Sequence, residues 1–476
     1  MVTHISKAFT YGRSSAEKPI LLFTFLEILS GIVYLIAARD IFNSSKVNLP
    51  RLKLDASEFK NDGEYVRARG DRNLVLWIFA AGMAMRILMM FSTPILEDDY
   101  YRYLWDGAVS SHGLNPYTHS PKRVLKDSSS VPPLLGELAR ESGQVAERIN
   151  HPHLRTIYPP VAQLAFALAY FVKPWSLLAL RIVLLFFDLT ALVLFIVILK
   201  KLELSPLLVG LYWWNPVLIK EVVNSCHMDV VVVPFLLGMV LLAIHGRYVW
   251  ASGAVALATG TKIWPILLIP LVLRPMLSDV RRLIAALSLF ALLVLGIFIP
   301  VYTTGLNHTS GLIAYSEYWE MNDALFMGLL WIGGHVVKLL GAAPGYSQFL
   351  ARVLVLSILF VLVIRLSWKK AETMTEFCEK CLFMTTALFL LSPTQFPWYY
   401  VWILPFLTIR PRYSLLLLTA LLPLYYLRFY FYARDSVTIF DNQIVWIEYL
   451  PVFVLILWEW HRDHRNRATN LPKRAS

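Results

Sequence analysis

Two adjacent carboxylates, Asp98 and Asp99, stand just beyond an apolar run in the string Leu96-Glu97-Asp98-Asp99-Tyr100-Tyr101-Arg102-Tyr103-Leu104-Trp105-Asp106-Gly107. Acidic residues at the end of a membrane-length segment are costly near lipid and as a rule functional. Adjacent like charges raise each other's cost of ionisation, so such a pair needs a nearby cation or keeps one proton. Arg102 follows Asp99 by three residues, the neighbour spacing of a helix. A helix starting near residue 98 places a carboxylate at its N-terminus, where negative charge is favoured. An N-cap with an interfacial salt bridge uses the same residues. Set among aromatics and an arginine, however, the pair has the chemistry to take a proton from a hydroxyl or to grip a polar ligand at a membrane surface.

Further polar groups punctuate the apolar chain. Asn115-Pro116-Tyr117 opens a polar stretch that continues to Ile149-Asn150-His151-Pro152-His153 and closes at Tyr158-Pro159-Pro160. His151 and His153 make only a weak metal motif, and no metal is expected. A loop of roughly 65 residues (93–157) with no obvious soluble core reads as a functional surface rather than a linker. Trp213-Trp214-Asn215-Pro216 leads to Lys220-Glu221 and then to His227 and Asp229 at the mouth of the next helix. His227 with Asp229 suits a sugar or phosphate contact, and plain capping is the bland alternative. Lys262 lies between two short apolar segments, and an intramembrane lysine seeks an anion. A lipid phosphate fits, since lysine is a compact phosphate binder; pairing with a carboxylate is the alternative. Gln395-Phe396-Pro397-Trp398-Tyr399-Tyr400 can be an interfacial belt or a stacking floor for a pyranose ring.

These residues must be positioned by membrane helices. Apolar residues are 57% of the chain and charged ones only 16%, against nearer a quarter charged in soluble proteins. Apolar runs recur from residue 20 to residue 460, so an all-α polytopic bundle of about 12–14 membrane segments is expected. Fifteen Trp and 23 Tyr suit interfacial belts. The net charge of +12 sits mostly in short loops and is not read as nucleic-acid binding. The three cysteines form no disulfide framework, and Cys378 and Cys381 read as small helix residues. The N-terminus lacks a signal-peptide pattern.

Basic loops set orientation. Arg274, Arg281 and Arg282 form one; Arg365, Lys369, Lys370 and Lys380 a second; Arg410 and Arg412 a third; and 461–476 is a basic tail. All are assigned to the cytoplasm, and 93–157, 303–324 and 392–399 to the outside. The pairs 159–172 with 175–199, and 325–340 with 347–366, must each make one net crossing, so one member of each reads as re-entrant. Most of the candidate polar motifs, Asp98 and Asp99, 215–229, 317–323 and 395–400, then share the outer side. A transporter would instead carry polar groups near the midplane, often in repeated halves.

Taken together the motifs resemble the GT-C superfamily of polytopic membrane glycosyltransferases, nearest the bacterial polyprenol-phosphate-mannose-dependent mannosyltransferases. The resemblance rests on Asp98-Asp99 with Tyr101, Arg102, Tyr103, Trp105 and Asp106; on Asn115-Pro116-Tyr117; on Tyr158-Pro159-Pro160 with Gln163; on Asn215-Pro216 with His227 and Asp229; on Lys262 with Pro265; and on Pro397-Trp398-Tyr399. It spans residues 96–402, and the apolar segment 20–38 is a departure from the pattern. The resemblance implies one membrane glycosyltransferase unit over 1–476, with 93–157 as an extracytoplasmic catalytic loop containing short helices. It implies an integral multi-pass protein of a bacterial inner or plasma membrane, active on the outer face.

The family places its catalytic acid in the first large outer loop, here Asp98 or Asp99, with Asp99 favoured by its spacing to Arg102-Tyr103. The expected reaction moves a hexose, mannose favoured, from a polyprenyl-phosphate donor to an acceptor hydroxyl on a glycolipid, glycan or protein. A single displacement inverts the anomeric centre. Lys262 is expected to hold the donor phosphate, with Arg102 and Lys220 next. Tyr101, Tyr103, Trp105, Asp106, Asn115, Tyr158, Gln163, Asn215, Glu221, His227, Asp229, Gln395, Trp398 and Tyr399 are expected around the sugar and acceptor. No metal or other cofactor is required, and the partners are lipid substrates and membrane lipid. A flippase or transporter of lipid-linked sugars and a non-catalytic scaffold are the rival readings.

Overall fold

The structure is a computed structural model that describes residues 2–46, 62–307, 309–343 and 345–469. The orientation rule also places the basic stretch 41–72 inside; its residues 47–61, and the end of the basic tail, 470–476, lie outside the described residues.

The apolar runs fold into helices because a backbone in lipid must satisfy its own hydrogen bonds. The helices used below are α1 (Ile20–Lys46), α2 (Asp62–Met90), α3 (Tyr100–Ser111), α4 (Pro160–Val172), α5 (Leu177–Lys201), α6 (Val232–Ile244), α7 (Tyr248–Thr261), α8 (Val280–Ile297), α9 (Ala324–Leu339), α10 (Tyr346–Trp368), α11 (Met374–Leu391), α12 (Tyr413–Leu421) and α13 (Val445–Thr469). Among the described residues there is no strand, only an isolated bridge between Met321 and Thr394. The protein is an all-α polytopic bundle.

Among the described residues, seven helical segments are long and apolar enough to cross a membrane, or eight if the bent pair Pro216–Asn224 and Met228–Ile244 counts as one span. The 12–14 expected segments are thus a mixture of full spans and shorter pieces, as the short runs in the sequence suggest. Several of the short runs are helices that stop early, and others are broken into 3-10 and π turns. Both pairs read as containing a re-entrant member have one short helix. α4 has 13 residues beside the 25 of α5, and α9 has 16 beside the 23 of α10. At 1.5 Å per residue α4 is only about 20 Å long, well short of a hydrocarbon core.

A charged pair locks the bundle interior. Arg86 of α2 and Asp188 of α5 are fully buried and meet at 2.6 Å. The Arg86 guanidinium also lies 3.4 Å from the centre of the Trp213 ring and donates to the Trp213 carbonyl, while Tyr212 donates to the other Asp188 oxygen at 2.8 Å. Neither charge would be tolerated alone at this depth.

The basic loops assigned to one side touch one another. Arg274 donates to the Trp368 carbonyl, and Lys380 to that of Lys369. Arg410 and Arg412 both engage Glu379, and Arg412 also reaches Asp463 on α13.

The segment 93–157 has a small core of its own, contrary to the sequence reading. Tyr101, Trp105, Val109, Val124, Leu135 and Ile149 bury one another around α3 and two further short helices, Pro121–Lys126 and Pro133–Glu141. The sequence hides this core because its apolar residues are scattered in short turns. The unit is joined to the bundle where α3 lies against α4. At Gly107 a Cβ would sit 2.4 Å from the Phe166 carbonyl oxygen, so that approach requires glycine.

Candidate functional site

The turn between α2 and α3 carries the acids and is tightly held. Asn224 accepts from the Ile95 amide at 3.0 Å and donates to the Ser92 hydroxyl and Thr93 carbonyl. Arg181 of α5 donates to the carbonyls of Met90, Ser92 and Asn224. Asp99 occupies the N-cap position of α3 without capping it, which leaves its carboxylate free for other partners.

Those partners come from the far end of the loop. The Asn150 side-chain amide donates to Asp98 Oδ1 at 2.9 Å and to Asp99 Oδ1 at 2.7 Å, which bridges the like charges. Tyr158 donates to Asp99 Oδ2 at 3.1 Å, with the Tyr103 hydroxyl at 3.5 Å. Burial, reinforced by the charge of Asp99, pushes the Asp98 carboxyl up to about 6. Burial and the same charge hold the Tyr158 phenol well above its ordinary range, so it stays a donor. Arg102 does not pair with either acid. Its guanidinium donates to the backbone carbonyls of Asn150 and His151 and so fixes the segment that carries the Asn150 amide.

These groups open onto a cavity of about 420 Å³. Of the expected site residues, Asp99, Arg102, Tyr103, Tyr158, Lys262, Trp398 and Tyr399 line it. The cavity therefore joins six stretches far apart in sequence: the acid turn, the loop end, the 262–264 turn, the 311–321 segment, the 388–402 segment and Tyr425. Lys262, on the turn after α7, lies 3.2 Å from Asp229 Oδ1 and over the rings of Tyr399 and Trp402 at 4.7 and 5.4 Å. Trp402 donates to the same Asp229 oxygen at 2.8 Å, and Asp229 Oδ2 is buried with no hydrogen-bond partner. Lysine is thus held by an acid behind it and two aromatic faces, and it retains 16% exposure toward the cavity.

Irregular backbone shapes this wall. Pro216 opens a helix that passes into a π-helical turn, Ile219–Asn224, and the chain bends by 106° before Met228, with Cys226 at φ 61°. π turns of this kind concentrate at functional sites. The bend brings His227 behind the cavity. Its ring stacks on Trp398 at 3.8 Å, with Nδ1 3.8 Å from Asp99 and Nε2 3.6 Å from Glu221. His227 is fully buried and is not among the residues that line the cavity.

Several expected contacts are instead internal supports. Lys220 is buried against Glu221 and Tyr426 and does not line the cavity. A group so neutralised is badly placed to hold a phosphate, which leaves Lys262 as the lining lysine. Asn215 caps its own helix by accepting from the Leu218 amide, and its side chain donates to Thr419. Gln163 ties Asp106, Thr156 and the Tyr158 carbonyl together. Asn115 donates to the Pro300 carbonyl. Tyr101 and Trp105 belong to the loop core. Gln395 donates to the Leu390 and Ser392 carbonyls. Among these groups the motif residues hold the site's shape and do not face its interior.

Sequence reasoning did not assign Glu97, Asn150, Trp264, Tyr315, Trp319, Trp402 or Tyr425 to the site, yet all seven line the cavity. His151 lines it too and faces the Trp319 ring at 4.8 Å. The signal for Asn150 was its place in the same loop. The aromatics gave none beyond their number.

Residues 64–277, just under half of the chain, match the model of the MptA_B family, alpha-(1->6)-mannopyranosyltransferase, N-terminal domain. The matched region holds Asp99, Tyr158 and Lys262. No curated protein and no solved structure matches the chain. Residues 64–277 thus carry a mannosyltransferase-family domain, the domain of a glycosyltransferase, and together with the apolar helices this match is consistent with a polytopic enzyme of the GT-C type.

Proposed function

We propose that this membrane glycosyltransferase moves a mannosyl group from a polyprenyl-phosphate donor to an acceptor hydroxyl, at the extracytoplasmic face of a bacterial inner or plasma membrane. The observation that carries the reading is the pairing, on the walls of one cavity, of an ordered carboxylate with a partly exposed lysine, Asp99 and Lys262.

Asp99 accepts the proton of the acceptor hydroxyl as that oxygen forms its bond to the anomeric carbon. The bond from that carbon to the phosphate oxygen breaks, and its electron pair leaves with the lipid phosphate. Lys262 stabilises the anion as it departs, while the Trp398 and Tyr399 rings and the other aromatics offer a face to the sugar. One displacement inverts the anomeric centre. Asn150 and Tyr158 aim the carboxylate, so catalysis rests on positioning and on charge stabilisation more than on base strength. The leaving group is already an anion matched to a lysine, so the reaction as written has no obligatory metal step. The acceptor is a glycolipid, a glycan or a protein. The outer-face assignment is supported by the mutual contacts of the basic loops, which belong on the cytoplasmic side.

The test is transfer from labelled polyprenyl-phosphate-mannose in membranes carrying the wild type or Asp99→Asn. Label in a new glycosidic product with the wild type alone is the expected result. Passage of intact lipid-linked sugar with no new bond would favour a transporter and sink this reading.

A further inference from the structure

Glu97 has no role in the chemistry above, yet it faces the same cavity. Its approach is unusual. Leu96, just before it, has φ of 64°, a left-handed conformation costly for a leucine. The preceding residues are pinned by Asn224 and Arg181, so the strain falls on the step that turns Glu97 inward. Once there, Glu97 Oε1 is buried without a hydrogen-bond partner. A buried unpaired oxygen is expensive in a native structure unless something is to meet it.

We propose that Glu97 is an uncharged carboxylic acid that donates a hydrogen bond to a hydroxyl of the transferred sugar, and so helps to select the donor. This rests on the glycosyl-transfer reading. The surroundings set the protonation state. Asp98 and Asp99 follow on its own segment, Glu221 and Lys220 face it from the π turn, and Tyr425 and Tyr426 from the 422–426 turn. Lys220 already has Glu221 and Tyr426 as partners, so it does not neutralise Glu97. Burial, against the pull of Lys220, drives the Glu97 carboxyl well above its ordinary range.

The same surroundings favour a sugar hydroxyl over phosphate. Lys262 stands with Tyr399 and Trp402, whereas Phe396, Trp398 and Tyr425 form an aromatic wall with edge contacts near 6 Å. Such a wall covers an apolar sugar face, and one neutral donor beside it reads a hydroxyl. A site built to bond a particular hydroxyl strongly rejects analogues that lack it.

The experiment compares Glu97→Gln and Glu97→Ala with the wild type, using polyprenyl-phosphate-mannose and its monodeoxy analogues, over pH 6–9. An amide also donates, so Glu97→Gln is expected to keep kcat/KM within about threefold and to lose any alkaline fall that Glu97 causes. Glu97→Ala is expected to lose tenfold or more, and to gain no further loss with the one deoxy sugar that penalises the wild type. If Glu97→Gln is as damaged as Glu97→Ala while both unfold at the wild-type temperature, Glu97 works as a carboxylate and the proposal is wrong. If no deoxy position is specific to Glu97, sugar reading is wrong. Absence of mannosyl transfer by the wild type overturns the underlying reading and this inference with it, whereas the first two results leave that reading intact.

Discussion

The hydroxyl of Tyr158 donates to Asp99 Oδ2 at 3.1 Å, a bond between the residue that leads into α4 and the one that precedes α3. With the Asn150 amide on the other carboxylate oxygen, it fixes the plane in which Asp99 presents its remaining lone pairs. A hydrogen bond to a charged group contributes about 1.5–3 kcal/mol. Tyr158→Phe is therefore expected to lower kcat by roughly ten- to hundredfold with the donor KM little changed. Asp99→Asn removes the proton acceptor and costs about 10²–10⁴ in rate. Initial rates of mannosyl transfer check both. Equal losses in the two variants would mean that Tyr158 has a larger role than aiming Asp99.

Lys262 has two functions that can be separated. Toward the cavity it offers charge, and behind it Asp229 is almost fully buried with Lys262 as its ion-pair partner. Lys262→Met should lose donor turnover and also stability, because removing one partner of a buried pair costs about 3–5 kcal/mol. Combining it with Asp229→Asn should restore most of the unfolding temperature in detergent while transfer stays lost. Recovery of transfer in the double variant would remove Lys262 from phosphate binding.

The sequence showed where chemistry lies along the chain better than which side chains face the site. Asp99, Arg102, Tyr103, Tyr158, Lys262, Trp398 and Tyr399 all reach the cavity, and each stands close to a point where an apolar run begins or ends. Asn215, Gln163 and Lys220 sit in equally suggestive places but point into the bundle. Facing direction follows helical phase, and phase cannot be counted through a π turn at Ile219–Asn224 or a 3-10 turn at Pro397–Trp402. The all-α bundle was legible from apolar length and composition. The small core of 93–157 was not, since it forms between short helices whose apolar residues are few and distant in sequence.

Asp98 gives the site a pH signature in stability. Its carboxyl is raised to about 6 in the folded protein, chiefly by burial and then by Asp99, against roughly 3.9 in an unfolded chain. Between those values the folded state binds more protons, so stability falls as pH rises from about 4 through 6, and the penalty persists above that range. Asp98→Asn cannot ionise, and its amide oxygen can still accept from Asn150. The variant is expected to unfold at a higher temperature than the wild type at pH 8, with the gap closing toward pH 4. A gap independent of pH would assign the effect to packing.

Gly107 tests whether the contact between α3 and α4 sets the position of the acid turn. The same contact brings the Tyr103 ring to 4.5 Å from Phe166, and Tyr103 in turn approaches Asp99. A methyl group at residue 107 meets the Phe166 carbonyl carbon and oxygen, which belong to the backbone and cannot rotate aside. The helices must separate by a fraction of an ångström or more. Overpacking of this kind costs about 1–3 kcal/mol, enough to loosen the loop without unfolding the bundle. Gly107→Ala should therefore cut kcat at least tenfold and expose the 112–150 segment to protease, while the bundle's unfolding temperature drops only modestly. Unchanged turnover in a variant that still folds would show that Asp99 is positioned by the Asn224 and Arg181 bonds alone, and that the α3–α4 approach serves only to seat the loop.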